Sequence, residues 1–221
     1  MDSANCSVSI VMDEIKRTFT YNSTPVLSVS ILYPKLTLRR CPYAQDSINA
    51  QIQAQVRDFL DYVSGDLYQQ AIATYRESQE NEFPFHLYEA ILQYEITYNQ
   101  HCCLSLYRDQ YTFTGGAHGS TIRSSDTWSL ISGRSILLSD FFPAGQDYRE
   151  SLINQMIEQA SKNPEVFFED YQDLIVKYFN EEHYYLTPSG VAIYYQQYEI
   201  APYSTGIVVF SIPYMDPSCC K

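Results

Sequence analysis

Between Gln110 and Gly119 the chain reads Gln-Tyr-Thr-Phe-Thr-Gly-Gly-Ala-His-Gly. Three glycines within five residues mark backbone that must take φ > 0 or pass close to another group, and His118 sits at the crown. Strand-like stretches lie on both sides, so the local expectation is a hairpin whose far end is this turn. Upstream, Tyr88, Ala90, Leu92, Tyr94, Ile96 and Tyr98 alternate with Glu89, Gln93, Glu95, Thr97 and Asn99. That gives one aromatic-aliphatic face and one acidic-polar face, the pattern of a half-buried strand. Residues 102–114 are its expected hairpin partner, and a third strand is expected from about Thr121 to Leu130.

The period changes elsewhere. Ile48, Ile52, Val56, Phe59, Leu60, Val63 and Leu67 recur at three- and four-residue steps, an apolar stripe that predicts one long helix with Asp46 as its N-cap. The pattern weakens at Gly65 but extends through Tyr68, Ile72 and Tyr75, ahead of a polar run from Glu77 to Glu82. Before the helix, the alternation at Ile15-Arg17-Phe19-Tyr21 and at Leu27, Val29, Ile31 and Tyr33 predicts two strands around Asn22-Ser23-Thr24-Pro25. After residue 134, Tyr148, Leu152, Ile153, Met156, Ile157 and Ala160 form one amphipathic helix. Asn163-Pro164-Glu165 reads as the start of another, continuing through Phe167, Tyr171, Leu174, Ile175 and Tyr178. Strands follow at Tyr184–Leu186, Val191–Tyr195 and Gly206–Ile212, and Pro202 is expected to interrupt a strand at an edge or bulge. The fold class is therefore α+β: antiparallel sheets packed by one long N-terminal helix and two further helices. The polar run suggests a division into an N-terminal part, 1–80, and a C-terminal part, 81–221.

Composition narrows the function classes. The 221 residues carry a formal charge of −12, and residues 79–221 hold 18 acidic against 7 basic side chains. A field of that sign repels nucleic acid and anionic membranes and speeds encounter with basic partners. No stretch approaches the ~20 apolar residues of a membrane span. Met1-Asp2-Ser3-Ala4-Asn5 lacks the basic start and apolar run of a leader, which reads as a cytosolic chain or a mature form. The 21 tyrosines suit half-buried sheets and binding surfaces alike.

The six cysteines are Cys6, Cys41, Cys102, Cys103, Cys219 and Cys220, none in C-x-x-C spacing. In an oxidising compartment they fit disulfides that tie down chain ends, and in a strand Cys102 and Cys103 would point to opposite faces. His101 beside the cysteine pair, with His86 and His183 elsewhere, lacks the spacing of a local metal site, so no metal and no cofactor is expected. Among catalytic signatures, G-x-S-x-G, H-E-x-x-H, the phosphate-binding loop and the dinucleotide fingerprint are all missing from the sequence. Glu181-Glu182 and Glu169-Asp170 are neighbours, which do not face one another across a sugar. The turn could form a backbone anion nest with His118 as general acid or base. The competing reading makes His118 a turn residue bonded to a nearby carbonyl. In Tyr198-Glu199-Ile200-Ala201-Pro202-Tyr203, the two tyrosines and Glu199 would suit recognition or form a structural corner.

Taken in order, the segments Tyr111–Gly119, Gly133-Arg134-Ser135-Ile136-Leu137-Leu138-Ser139-Asp140-Phe141-Phe142, Tyr184–Val191 and Tyr198–Tyr203, followed by Gly206-Ile207 and Ile212-Pro213-Tyr214, are similar to motifs of one bacterial family. The chain resembles the RsiV-like extracytoplasmic domain, known from lysozyme-sensing anti-sigma factors and found beside peptidoglycan deacetylase domains. The likeness covers most of residues 84–214; Tyr33-Pro34 and Ile48-Asn49 are fainter echoes of the small domain that usually precedes it. The resemblance implies a non-catalytic, extracytoplasmic domain that binds a basic cell-wall-active protein such as lysozyme, or a cell-wall glycan. Gly115, Gly116, His118, Gly119, Tyr198, Glu199 and Tyr203 are its candidate ligand-binding residues, and none is assigned a catalytic role. The alternative is a peptidoglycan-acting hydrolase or deacetylase, or its accessory domain, with His118 at the site.

Overall fold

The alternation near the N-terminus is realised as two long antiparallel strands, β1 (Val8–Tyr21) and β2 (Thr24–Leu38). The turn between them places Asn22 and Ser23 at φ 48° and 66°, a two-residue geometry whose twist matches the flanking strands. The computed structural model describes residues 6, 8–143 and 147–214.

From β2 the chain enters a single unbroken 39-residue helix. It consists of α1 (Pro42–Tyr62), a π-helical turn (Val63–Leu67) and α2 (Tyr68–Glu80). Its start corrects the expected one: Cys41 is the N-cap, Pro42 holds the first position, and Asp46 lies inside the helix. Proline suits that place because its fixed φ is helical and its missing N–H has no intrahelical acceptor there. The π-turn has a reason in the sequence. The buried positions Ile48, Ile52, Val56, Phe59, Val63, Leu67 and Ala71 recur mostly every fourth residue, slower than the 3.6-residue turn. One wider turn brings the apolar stripe back over the sheet.

The helix is a crossover, so the next strand, β3 (Tyr88–Gln100), lies parallel to β2. β4 (Cys103–Phe113) and β5 (Ser120–Ser129) follow antiparallel, completing a sheet in the order β1-β2-β3-β4-β5. Its helix-facing side and the helix bury a first core containing Leu27, Ile31, Ile48, Ile52, Leu92 and Trp128. The Trp128 indole N–H donates to Gln51 Oε1 at 3.1 Å, giving a buried ring its required acceptor.

β3 and β4 join through His101 and Cys102, at φ 50° and 57°. Cys102 is thus a turn residue, not a strand neighbour of Cys103, which begins β4 and is buried. The turn aims Cys102 at Cys6, with which it forms a disulfide across a Cα–Cα distance of 5.1 Å. This bridge ties Cys6, ahead of β1, to the turn between β3 and β4. Cys219 and Cys220 lie outside the described residues.

A second core gathers around α3 (Tyr148–Ala160), α4 (Tyr171–Tyr178) and a sheet of β6 (Tyr184–Thr187), β7 (Gly190–Tyr195) and β8 (Val208–Pro213). Asp147 caps α3, its side chain accepting from the Glu150 N–H. The helix expected from Asn163 is interrupted: Pro164–Val166 is a short 3-10 turn, Phe167 is extended, and α4 begins at Tyr171. The Phe168 N–H donates to the Ile200 carbonyl at 3.1 Å, so a tertiary contact takes the bond that a continuous helix would have used. The two bodies are joined by buried hydroxyls. Ser105 Oγ and Thr127 Oγ1 are 2.8 Å apart, and the Leu186 N–H donates to Ser105 Oγ at 2.9 Å. Pro202 falls in the connection between β7 and β8, not within a strand.

Candidate functional site

The glycine turn links β4 to β5, and its glycines have different reasons. Gly115 sits at φ +86°, a conformation L side chains rarely adopt. At Gly119 the constraint is space, because a Cβ there would lie 2.3 Å from the Tyr111 ring. Gly116 and His118 are exposed at the tip.

The structure brings this turn against the second candidate segment. The His118 ring stacks on Tyr203 with centroids 3.7 Å apart and planes at 19°, and His118 Nδ1 lies 3.1 Å from the Gly119 carbonyl oxygen. Tyr203 in turn meets Tyr198, at 5.8 Å between centroids. Tyr198 is 56% exposed and holds φ +68°, so its backbone is turned outward at a strained position. Glu199 is half-buried and accepts from the Gln196 N–H at 2.6 Å. Burial raises its carboxyl pKa above the usual carboxylate range, and that N–H partly offsets the rise.

Two glutamines lock this arrangement to β5. Gln196 Oε1 accepts from the Arg123 N–H at 2.9 Å, while its Nε2 donates to the Arg123 carbonyl at 2.7 Å. Gln197 Oε1 accepts from the Thr121 N–H at 2.8 Å. The side-chain amides therefore occupy the open edge of β5 as a neighbouring strand would. Arg123 itself is clamped by Asp109 through bonds of 2.8 and 2.7 Å, with its guanidinium 3.7 Å from the Tyr107 ring centre.

A second feature is lined by parts of two motif segments, residues 135–139 and Tyr184, which the sequence does not place together. A polar cleft of about 770 Å³ opens at the other end of β5, walled by Ser124–Thr127, residues 135–139, Arg149, residues 179–184 and Tyr194. Two ion pairs account for most of its charges, and Glu182 adds a further carboxylate. Arg108 is bonded to Asp126, which also accepts from Gln55 at 3.0 Å. Glu181 accepts from the Tyr148 hydroxyl at 2.7 Å and from Arg149 at 3.2 Å. The His183 ring stacks on Tyr194 at 4.8 Å. Burial pushes the His183 pKa down, partly opposed by Glu182, and pushes the Tyr194 hydroxyl up to about 12. Glu181 and His183 were weighed in the sequence only as a sequence-adjacent acid and a distributed metal ligand. Their shared position depends on the fold. Among the described residues, no three His, Cys, Asp or Glu side chains converge as a metal site, and no helix is long and apolar enough to cross a membrane.

Comparison with known proteins matches both parts of this architecture. Residues 20–121 match the family described as Deacetylase PdaC, and residues 139–215 match the family described as Protein of unknown function (DUF3298). A PdaC-like domain precedes a DUF3298 domain. The first match spans β2, the long helix, β3 and β4, and the second spans α3 to β8. A crystal structure of a DUF3298-family member from Bacteroides fragilis NCTC 9343 aligns with a TM-score of 0.71 and 21% identity, covering 95% of this chain and 91% of that one. A DUF3298-family structure from Pseudomonas aeruginosa PAO1 aligns with a TM-score of 0.60 and 19% identity, covering 96% and 92%. At these identities the likeness is one of fold. No curated protein matches the chain. The glycine turn closes the PdaC-like match, whereas Tyr198, Glu199 and Tyr203 belong to the DUF3298 domain, so the two candidate segments meet across the junction of the domains.

Proposed function

We propose that this chain is a non-catalytic, extracytoplasmic recognition domain of the RsiV-like kind, and that it binds a basic cell-wall-active protein such as a lysozyme. The binding surface is the patch of Gly115, Gly116, His118, Tyr198, Glu199 and Tyr203, with the buried Gly119 holding the turn against Tyr111. One observation carries the reading: two segments far apart in sequence converge on the His118–Tyr203 stack, with Tyr198 exposed beside it. Exposed aromatic rings on a backbone pinned by glutamine amides form a pre-organised anchor of the kind that dominates protein interfaces. The formal charge of −12 supports a basic partner, mainly through the rate of encounter. The Cys6–Cys102 disulfide supports an oxidising compartment. In this reading residues 1–80 serve as scaffold and 81–221 as the recognition part, with the first sheet running across that boundary.

Calorimetric titration with a basic lysozyme provides the test. Binding is expected at low ionic strength and should weaken as salt screens the charges. Tyr203→Ala is expected to reduce affinity by roughly tenfold or more, the scale of losing an interface anchor. Absence of binding at low ionic strength, or full affinity in Tyr203→Ala, would sink the proposal.

A further inference from the structure

We propose that the polar cleft at the far end of β5 is a binding site for a short neutral oligosaccharide, separate from the His118–Tyr203 patch. Its volume of about 770 Å³ lies within the range of small-ligand sites. The choice of ligand follows from how its charges are disposed. Arg108 is matched by Asp126 and Arg149 by Glu181, and Glu182 adds a further negative charge, so the cleft is a poor site for an anion. What the cleft offers is donors and acceptors side by side, together with the hydroxyls of Ser124, Ser125, Ser135 and Ser139. A sugar hydroxyl both donates and accepts, and so matches such a surface without bringing a charge of its own.

A second observation points to a polar ligand. Three buried side-chain nitrogen or oxygen atoms lack a hydrogen-bond partner among the described residues. Two of them, Arg108 Nε and His183 Nδ1, belong to residues lining this cleft. Buried polar atoms are nearly always bonded, and both of these belong to cleft-lining residues although the atoms themselves are closed to solvent. His183 is suited to a neutral ligand because burial disfavours its charged form. Its ring is held in place by stacking on Tyr194, and the Tyr194 hydroxyl lies 3.3 Å from Ser125 Oγ. The site is therefore rigid on the side that would meet the sugar.

The full chain should be titrated with maltotriose, cellotriose and chitotriose by calorimetry, at low and at high salt. At least one is expected to bind, with an affinity that salt leaves unchanged. His183→Ala should weaken that binding about tenfold, the scale of one lost buried hydrogen bond. Ser124→Trp should abolish it by filling the cleft while leaving the ion pairs intact, and it decides the matter should His183→Ala fail to fold. Tyr203→Ala should leave sugar binding unchanged, which separates this site from the protein-binding patch. Failure of all three sugars to bind at millimolar concentration would overturn the proposal. So would binding retained in Ser124→Trp, or salt-sensitive displacement of the sugar by inorganic phosphate or trilysine.

Discussion

The two ends of β5 meet the C-terminal part of the chain in different ways. At its start, Gln196 and Gln197 satisfy the strand's backbone edge with side-chain amides, and the attached loop displays Tyr198 and Tyr203. Towards its end the contacts come from the strand's own side chains: the Ser125 hydroxyl donates to the Tyr184 carbonyl, while Asp126 is held within the sheet by Arg108. The first end is built from two contiguous segments, each visible as a motif. The second is assembled from β4, β5, α3, β6, β7 and two loops, with most of its lining from β5 and the loops. Backbone-specified surfaces leave a trace in sequence because glycine and proline are needed at fixed places. A cleft built from paired charges has no such requirement, and its ion-pair partners leave none.

Substitutions should separate the two ends. The largest effect is expected from Asp126→Ala, which strands the mostly buried Arg108 guanidinium and removes the acceptor for Gln55. Breaking one partner of such a pair costs on the order of 3 kcal/mol, a Tm lower by roughly 6–12 °C for a chain of this size. A fall of under two degrees would show that the pair does little for the cleft end. Gly119→Ala comes next, because its Cβ would press on a Tyr111 ring 2.3 Å away. Overpacking of this kind costs roughly 1–3 kcal/mol. Lysozyme binding should drop while oligosaccharide binding at the cleft is kept; equal loss at both would mean that the ends are not independent. Gln196→Ala removes both bonds to Arg123 and should cost about 1–2 kcal/mol. Hydrogen exchange should then quicken at the Arg123 amide, and unchanged protection there would count against edge capping.

The same contrast explains what could be read before the structure was known. Fold class was legible because the alternation from Tyr88 to Tyr98 and the stripe from Ile48 to Leu67 have unmistakably different periods, and both formed the expected elements. Boundaries were less so. The helix starts at Pro42 because Pro suits the first position, although Asp46 offered a plausible cap. The segment after Pro164 kept helical spacing at Phe167 and Tyr171, yet the Phe168 N–H is bonded to the Ile200 carbonyl instead. The parallel pairing of β2 with β3 follows only once the long helix is seen as a crossover. Within the candidate patch, His118 and Tyr203 each drew notice alone, but nothing in the spacing says that their rings stack. Of the cleft, residues 135–139 and Tyr184 fall in motif segments, but nothing in the spacing brings them to Arg108, Glu181 and His183.

Acidity should act on the two ends in opposite senses, through smaller effects. Glu199, in the β7–β8 connection that packs on the start of β5, has its pKa raised by burial above the ordinary 4.5. The folded chain therefore holds that proton more tightly than the unfolded one. This contribution to stability is present below the unfolded value and is lost as pH climbs through the folded one. His183, at the cleft, has its pKa lowered by burial below the ordinary 6.5. Here the unfolded chain binds the proton more readily, so stability is kept above 6.5 and lost as pH falls towards the folded value. Glu199→Gln keeps an acceptor for the Gln196 N–H and should raise Tm slightly near neutral pH, with the advantage gone in acid. His183→Gln should flatten the fall in Tm just below pH 6.5 and leave the neutral side unaffected. Melting curves from pH 4 to 8 would resolve both. If His183→Gln instead preserved the acid slope, the proton taken up there would belong to another group, and the burial of His183 would not govern the cleft's response.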